Sequence, residues 1–316
     1  MIRYRYHTLD VFTDRIFSGN PLAVFPHALG ISGEHMQQIA GELNLSETVF
    51  VLPPEDREHT RRLRIFTPGA ELPFAGHPTI GTAHLLVRLG EVPMHGGVAR
   101  IVFGEGVGPV EVVVREGPPA FAQLTAAKLP ERGPDPPPTA ALARALSLVP
   151  ADLLGGDRSP ESYSCGVPFL FVPVRDRATL ARARIDTAAW LAALGSYPAQ
   201  EVFVFAADPE RPGSDLRARM FAPALGIPED PATGSAAAAL AGYLGARSKE
   251  RDGTLRQVIE QGFEMGRPSL ILLEADVRDG AVVAVRVGGE AVLVSEGHML
   301  VPATEPLIAQ PVRSEV

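Results

Sequence analysis

Two stretches of this chain are too small and too apolar to sit anywhere but an interior. Residues 73–86 read PFAGHPTIGTAHLL and residues 229–244 read EDPATGSAAAALAGYL. Superposed without a gap, Gly76 meets Gly234, His77 meets Ser235, Ala83 meets Ala241 and Leu86 meets Leu244. Pro78 suits a first helical position and Gly90 the residue just past a helix end. A helix that is apolar all round is buried on every side. In a chain otherwise rich in strand patterns, the simplest enclosure is a curved sheet wrapped around it. One such helix in each half predicts two similar domains, each a sheet rolled around its own helix. On pattern alone, two unrelated Ala/Gly-rich core helices remain the alternative.

The strand patterns are plain. Tyr4–Phe12 alternates with the period of a half-buried strand, and apolar runs follow at Thr48–Leu52, Arg62–Phe66, Ala99–Phe103 and Pro109–Arg115. Gly33–Leu43 places Met36, Ile39, Ala40 and Leu43 at helical spacing. Four prolines between Pro134 and Pro138 can continue neither a helix nor a central strand, which marks a linker. Beyond it the pattern restarts at Phe169–Val174, Glu201–Ala206 and Ser269–Val277, and Gly288-Gly289 reads as a two-residue hairpin turn. The expected division is residues 1–129 and 130–298, with 299–316 returning to complete the first half.

Composition limits the partners. The 316 residues carry a formal charge of −8 and no basic block, which argues against nucleic acid or an anionic membrane surface. A small anionic ligand needs only local donors and stays open. Cys165 is the one cysteine, so neither an intrachain disulfide nor a cysteine zinc cluster is available. No apolar run approaches the roughly 18 residues of a membrane span. The N-terminus lacks the pattern of a signal peptide, and a cytoplasmic protein is expected. No P-loop, dinucleotide fingerprint or nucleophile elbow is present, and His77 with His84 make a poor metal pair. No cofactor and no metal are expected.

Several residues could carry chemistry, each with a plainer reading beside it. Glu47 enters an apolar strand, where a carboxyl tends to a raised pKa suited to acid/base work; otherwise it is a solvated residue at a strand edge. His77 opens a helix and either meets a ligand or merely packs there. Asp230 and Ser235 are helix caps or ligand contacts, and Asn20 is a turn residue in Gly-Asn-Pro or a site residue. Gly76 and Gly234 lead helix starts whose free N–H groups bind anions, and as glycines they would let an anion approach closely. Cys165 has no basic neighbour in sequence and reads as an inert thiol. Arg267 could hold an anion or a carboxylate of the protein itself.

Taken together, DVFTDRIFSGNPLAVF, LNLSETVFV, RIFTPGAELPFAGHPTIGTAHLL, DLRARMFAPALGIPEDPATGSAAAALAGYL, QGFEMGRPS and VRVGGEAVLVSEG resemble the PhzF-like family of phenazine-biosynthesis isomerases, in the family's order. Residues 130–186 match only loosely. The resemblance implies the diaminopimelate epimerase fold: an α/β (α+β) chain of two similar domains, each a curved, mainly antiparallel sheet around a central helix, with the site between them. It implies that Glu47 is the general acid/base, that His77, Asp230 and Ser235 belong to the site, and that Asn20 lies near the ligand. It also suggests a homodimer. The epimerase relatives use one cysteine ahead of each helix. Here those positions are Ala75 and Thr233, which excludes two-thiol racemisation.

The function expected is therefore a cofactor-independent isomerase of a small carboxylate. Glu47 would move a proton between carbons, His77 and Asp230 would hold the reacting end, and Gly76, Gly234 and Ser235 would receive polar or anionic groups. The alternatives are an epimerase with unlike bases, such as Glu47 and Asp230, and a non-catalytic binding or scaffold protein on the same fold.

Overall fold

The computed structural model describes residues 1–303. Its first half contains β1 (Ile2–Val11), β2 (Asn20–Phe25), α1 (Gly33–Leu43), β3 (Glu47–Leu52), β4 (Arg61–Phe66), β5 (Glu71–Leu72), α2 (Gly76–Arg88), β6 (Val98–Glu105), β7 (Gly108–Arg115) and β8 (Phe121–Thr125). The second half contains β9 (Glu131–Arg132), α3 (Thr139–Ala145), β10 (Glu161–Ser164), β11 (Pro168–Pro173), α4 (Arg177–Arg182), α5 (Thr187–Leu194), β12 (Glu201–Ala206), β13 (Leu216–Ala222), β14 (Ile227–Asp230), α6 (Gly234–Gly245), β15 (Gly253–Gln261), β16 (Ser269–Arg278) and β17 (Ala281–Val301).

Period-two alternation explains the layering. On β3, Val49 and Val51 face the cluster around α2, whereas Phe50 joins Phe25 and Phe66 beneath α1. On β12, Phe203 and Phe205 face α6, whereas Val202 and Val204 face the outer layer of α3, α4 and α5. Each sheet thus has an inner face on one helix and an outer face under others. Helix α2 is buried continuously from Gly76 to Leu86, and α6 over most of its length.

The two halves repeat one another strand by strand. In the first, β1–β2 is antiparallel, β2–β3 parallel, β3–β4 antiparallel and β4–β6 parallel, followed by the antiparallel meander β6–β7–β8. In the second, β10–β11, β11–β12, β12–β13, β13–β15 and β15–β16–β17 take the same senses in the same order. The registers agree as well. Val49 faces Ile65 and Ile65 faces Leu72, four residues before Gly76; Phe203 faces Met220 and Met220 faces Asp230, four residues before Gly234. The likeness of the two helices is therefore a duplication of the whole unit, and α2 and α6 fill the two sheets as the pattern predicts.

Strand β17 joins the halves. Residues 281–288 pair with β16, 286–290 with β8 and 291–301 with β1, so the first sheet closes on itself. This corrects the expected hairpin at Gly288-Gly289: the strand runs straight through both glycines. The turn falls instead at Asp279-Gly280, both at positive φ. The glycines serve close approach. A Cβ on Gly288 would stand 2.7 Å from the Phe121 ring, and one on Gly289 would stand 2.4 Å from the Phe12 ring. Of the segment 299–316 expected to complete the first half, residues 304–316 lie outside those described, and the pairing with β1 starts earlier, at Ala291.

Other boundaries move by a residue or two. Helix α2 begins at Gly76, so Pro78 is its third residue and not its first, and Gly90 follows the helix end at φ 74°. The prolines at 134–138 form no element and connect β9 to α3.

Candidate active site

The two buried helices meet nose to nose. A Cβ on Gly76 would lie 2.9 Å from the Gly234 backbone, and one on Gly234 would lie 3.2 Å from the Gly76 Cα. The glycines are thus required by the approach of one helix to the other, a different reason from the ligand contact expected of them. No side chain caps either helix: Ala75 and Thr233 hold the N-cap positions without a capping bond. Asp230 is therefore not the cap of α6. The free N–H groups of both first turns point toward the same region.

A cavity of about 280 Å³ opens there, lined by residues of both halves. Glu47, Gly76, His77, Asp230, Gly234 and Ser235 line it, opposite Leu72, Phe74, Phe169 and Met220, and its lining holds no lysine or arginine. A larger groove of about 670 Å³ lies elsewhere on the first half, but its Arg64 and Glu71 bond to each other and leave little to offer a ligand.

Asn20 organises the polar end. It opens β2 and is fully buried, so the Gly-Asn-Pro motif marks a site residue here. Its amide nitrogen lies 3.2 Å from His77 Nδ1, and it donates to Asp230 Oδ1 and to the Ala232 carbonyl, both at 2.9 Å. The amide nitrogen cannot accept and has two hydrogens for three neighbours, so one is shared with His77 Nδ1, which faces it as the bare nitrogen and leaves the ring hydrogen on Nε2. That Nε2 lies 3.2 Å from Glu47 Oε2, within ion-pair range but out of line for a hydrogen bond, and both atoms are buried with no hydrogen-bond partner. Asp230 is held further by Thr233 Oγ1 at 2.6 Å. Gln261 receives the Thr233 N–H at 3.0 Å and donates to the Asp230 carbonyl at 2.8 Å.

Burial sets the charges. His77 is pushed down to about 3, so it is neutral and its contact with Glu47 is not an ion pair. Burial raises the Glu47 carboxyl well above its ordinary value, helped by the charge of Asp230. Burial also raises Asp230, to about 6, against the hydrogen bonds from Thr233, Asn20 and Ser46. Burial thus favours the protonated form of both carboxyls, and a carboxyl with a raised pKa is suited to acid/base work.

These features have counterparts among known proteins. Residues 9–297 match the model of the phenazine biosynthesis-like family, PhzC-PhzF. The chain belongs to this family. An uncharacterised isomerase of Mesorhizobium japonicum is 41% identical, over 94% of this chain and 98% of its own. The trans-2,3-dihydro-3-hydroxyanthranilate isomerase of Pseudomonas aeruginosa is 36% identical, over 93% of this chain and 99% of its own. The crystal structure of a PhzF-family protein from Bacillus anthracis matches 95% of this chain and all of its own with a TM-score of 0.85, at 24% identity, a likeness of fold. The fold is that of diaminopimelate epimerase, and the protein is an enzyme of the isomerase type.

The sequence reading named seven site residues. Six line the cavity, and Asn20 stands directly behind His77 and Asp230. Cys165 is buried and its thiol is pushed up to about 12, as an inert thiol should be. Arg267 takes the second of its two readings: it binds the Asp10 carboxylate and the carbonyls of Ser18 and Gly19, fixing the turn that leads into Asn20. Gln261 and Glu201 escaped the reading. Glu201 had a signal, since it opens EVFVFA as Glu47 opens ETVFVL. Among the described residues no group of His, Cys, Asp or Glu side chains is arranged to hold a metal ion. Among the described residues no helix is long and apolar enough to cross a membrane.

Proposed function

We propose that this protein isomerises a small unsaturated carboxylic acid without a cofactor, by moving a proton from one carbon to another through Glu47. The observation that carries this reading is the Glu47–His77 pair. Two buried polar atoms, unbonded among the described residues, lie 3.2 Å apart at the edge of the cavity. Buried polar atoms without partners are costly and rare, and a ligand would give them partners. At about 280 Å³ the cavity suits a small metabolite.

With no cationic side chain in the lining, the acid's carboxylate is received by the N–H groups at the starts of α2 and α6 and by the Ser235 hydroxyl. The ionised form of Glu47 takes the proton from an acidic C–H. The protonated form, favoured by burial, returns it at another carbon of the conjugated system. Neutral His77 offers its Nε2 hydrogen to Glu47 or to the substrate. Asp230, fixed by Asn20 and Thr233, holds the reacting end and keeps the Glu47 pKa high.

The test uses trans-2,3-dihydro-3-hydroxyanthranilate, the substrate in the name of the Pseudomonas aeruginosa relative, together with a set of small unsaturated acids, in heavy water. Wild type is expected to isomerise at least one of them and to place solvent deuterium on carbon. Glu47→Gln should fold, bind and lose about 10²–10⁴-fold or more in rate. A variant retaining more than about a tenth of the wild-type rate excludes Glu47 as the shuttle. Because burial raises the Glu47 pKa, kcat/KM should climb with pH well beyond the ordinary carboxylate range. A profile already flat from pH 5 contradicts the raised Glu47 pKa.

A further inference from the structure

The duplicated registers give Glu47 a twin. Thr48 faces Phe66 and Val202 faces Phe221, each one step beyond the equivalent pairs Val49–Ile65 and Phe203–Met220. Glu47 and Glu201 are therefore the same position of the repeat. Both open the parallel strand of their half, against Leu22 and Phe169. Both point to the inner face, both line the cavity, and each is 8% exposed.

Their surroundings differ. The repeat positions that hold Asn20, His77 and Asp230 near Glu47 hold Val167, Ser235 and Leu72 in the other half. Glu47 thus sits among three polar side chains, where Glu201 has two apolar ones and the Ser235 hydroxyl. Among the described residues the Glu201 carboxyl receives a hydrogen bond only from its own backbone N–H. Strands lie about 4.8 Å apart, and Glu201 stands on β12, two strands from Asp230 on β14, so it meets a different part of a ligand.

Among the described residues no other residue bonds this buried carboxyl, which costs stability, and a structural role would have given it a partner from another residue. We propose that Glu201 is a specificity-determining residue of the substrate site, which takes a hydrogen bond from a hydroxyl or amino group on the substrate, away from the end held by the helix starts. This rests on the proposed function only in taking the cavity as the substrate site. The substrate class narrows to a small acid that carries a hydroxyl or amine apart from its carboxylate.

The experiment measures binding by calorimetry for benzoate and its 3- and 4-hydroxy and 3- and 4-amino derivatives. The proteins are wild type, Glu201→Leu and Glu201→Gln, with melting curves for all three. Wild type should prefer at least one donor-bearing derivative over benzoate by about tenfold or more. Glu201→Leu should bring that preference to within about twofold and bind benzoate no worse. Glu201→Gln, which keeps an acceptor oxygen, should retain part of the preference. Glu201→Leu should also melt at a higher temperature than wild type, the reverse of what a structural carboxyl would give. An unchanged preference in Glu201→Leu, no preference in wild type, or no binding of any member overturns the proposal. The outcome is independent of turnover: a wild type that binds selectively but exchanges no proton fails the isomerase mechanism and leaves Glu201 in its role.

Discussion

His77 is held at an unusual setting for its residue type. Its burial keeps it neutral down to about pH 3, where an exposed imidazole takes a proton near 6.5. Below 6.5 the unfolded chain therefore binds a proton that the folded chain refuses, and folding stability falls as pH drops from 6.5 toward 3. Ring nitrogen NMR should find one protonated and one bare nitrogen in His77, unchanged between pH 5 and 8. A titration near 6.5 would refute the neutral histidine and the hydrogen assigned to Nε2. At this scale much of the site was legible through the family resemblance of whole motifs, whereas Gly-Asn-Pro alone reads as a turn and Glu47 alone as a strand-edge residue. The partners of Asp230 were not legible. Thr233 is close in sequence, but Asn20 and Gln261 arrive from distant strands, and no local pattern announces a contact across 210 residues.

The helix starts are secured by the strands that follow them. Glu105 ends β6 and Gln261 ends β15, and they too are equivalent positions of the repeat, since Arg62 faces Gly104 as Arg217 faces Glu260. Gln261 holds Thr233, the N-cap of α6. Glu105 bonds the Thr79 hydroxyl at 2.7 Å, and that hydroxyl lies 2.8 Å from the carbonyl of Ala75, the N-cap of α2. Burial raises Glu105 to about 8, and its Oε2 is buried without a partner. The unfolded carboxyl ionises from about 4.5, so between 4.5 and 8 the folded state holds the extra proton and stability declines as pH rises. Glu105→Gln should remove that decline, leaving the variant relatively most stabilised near pH 8 in denaturant titrations. An equal slope in both proteins would show that Glu105 is ionised in the folded state. At the scale of elements, apolar periodicity located the strands and helices it named to within a few residues, and passed over α3, α4, α5, β13 and β15. It failed at Gly288-Gly289, where missing side chains make room for the rings of Phe12 and Phe121 and the backbone makes no turn. A dipeptide alone cannot distinguish those two uses.

The molecule as a whole is two copies of one unit that share a strand. The repeat was half legible, in the two helices; the matching strand senses become visible only when pairing partners are known. The sharing follows from the length of β17, twenty-one residues, which runs through its Gly-Gly turn signal without turning. A fragment of residues 1–129 has every strand of the first sheet except the one that closes it. It should therefore be unfolded or aggregated by circular dichroism and sedimentation, and mixing it with the remainder of the chain should restore structure. A monomeric, cooperatively melting fragment would contradict this.

Synthesis meets the same constraint in time. The ribosome completes β1 long before it reaches that strand's partner, residues 291–301. Until then the edge of β1 stays open to wrong pairings, and α2 waits for the last stave of its barrel. Such distant pairing slows folding and leaves the nascent chain exposed to aggregation. A stalled ribosome, an early stop codon or a nick in β17 would thus release no half-active product, because the first domain is finished by a strand made after the second.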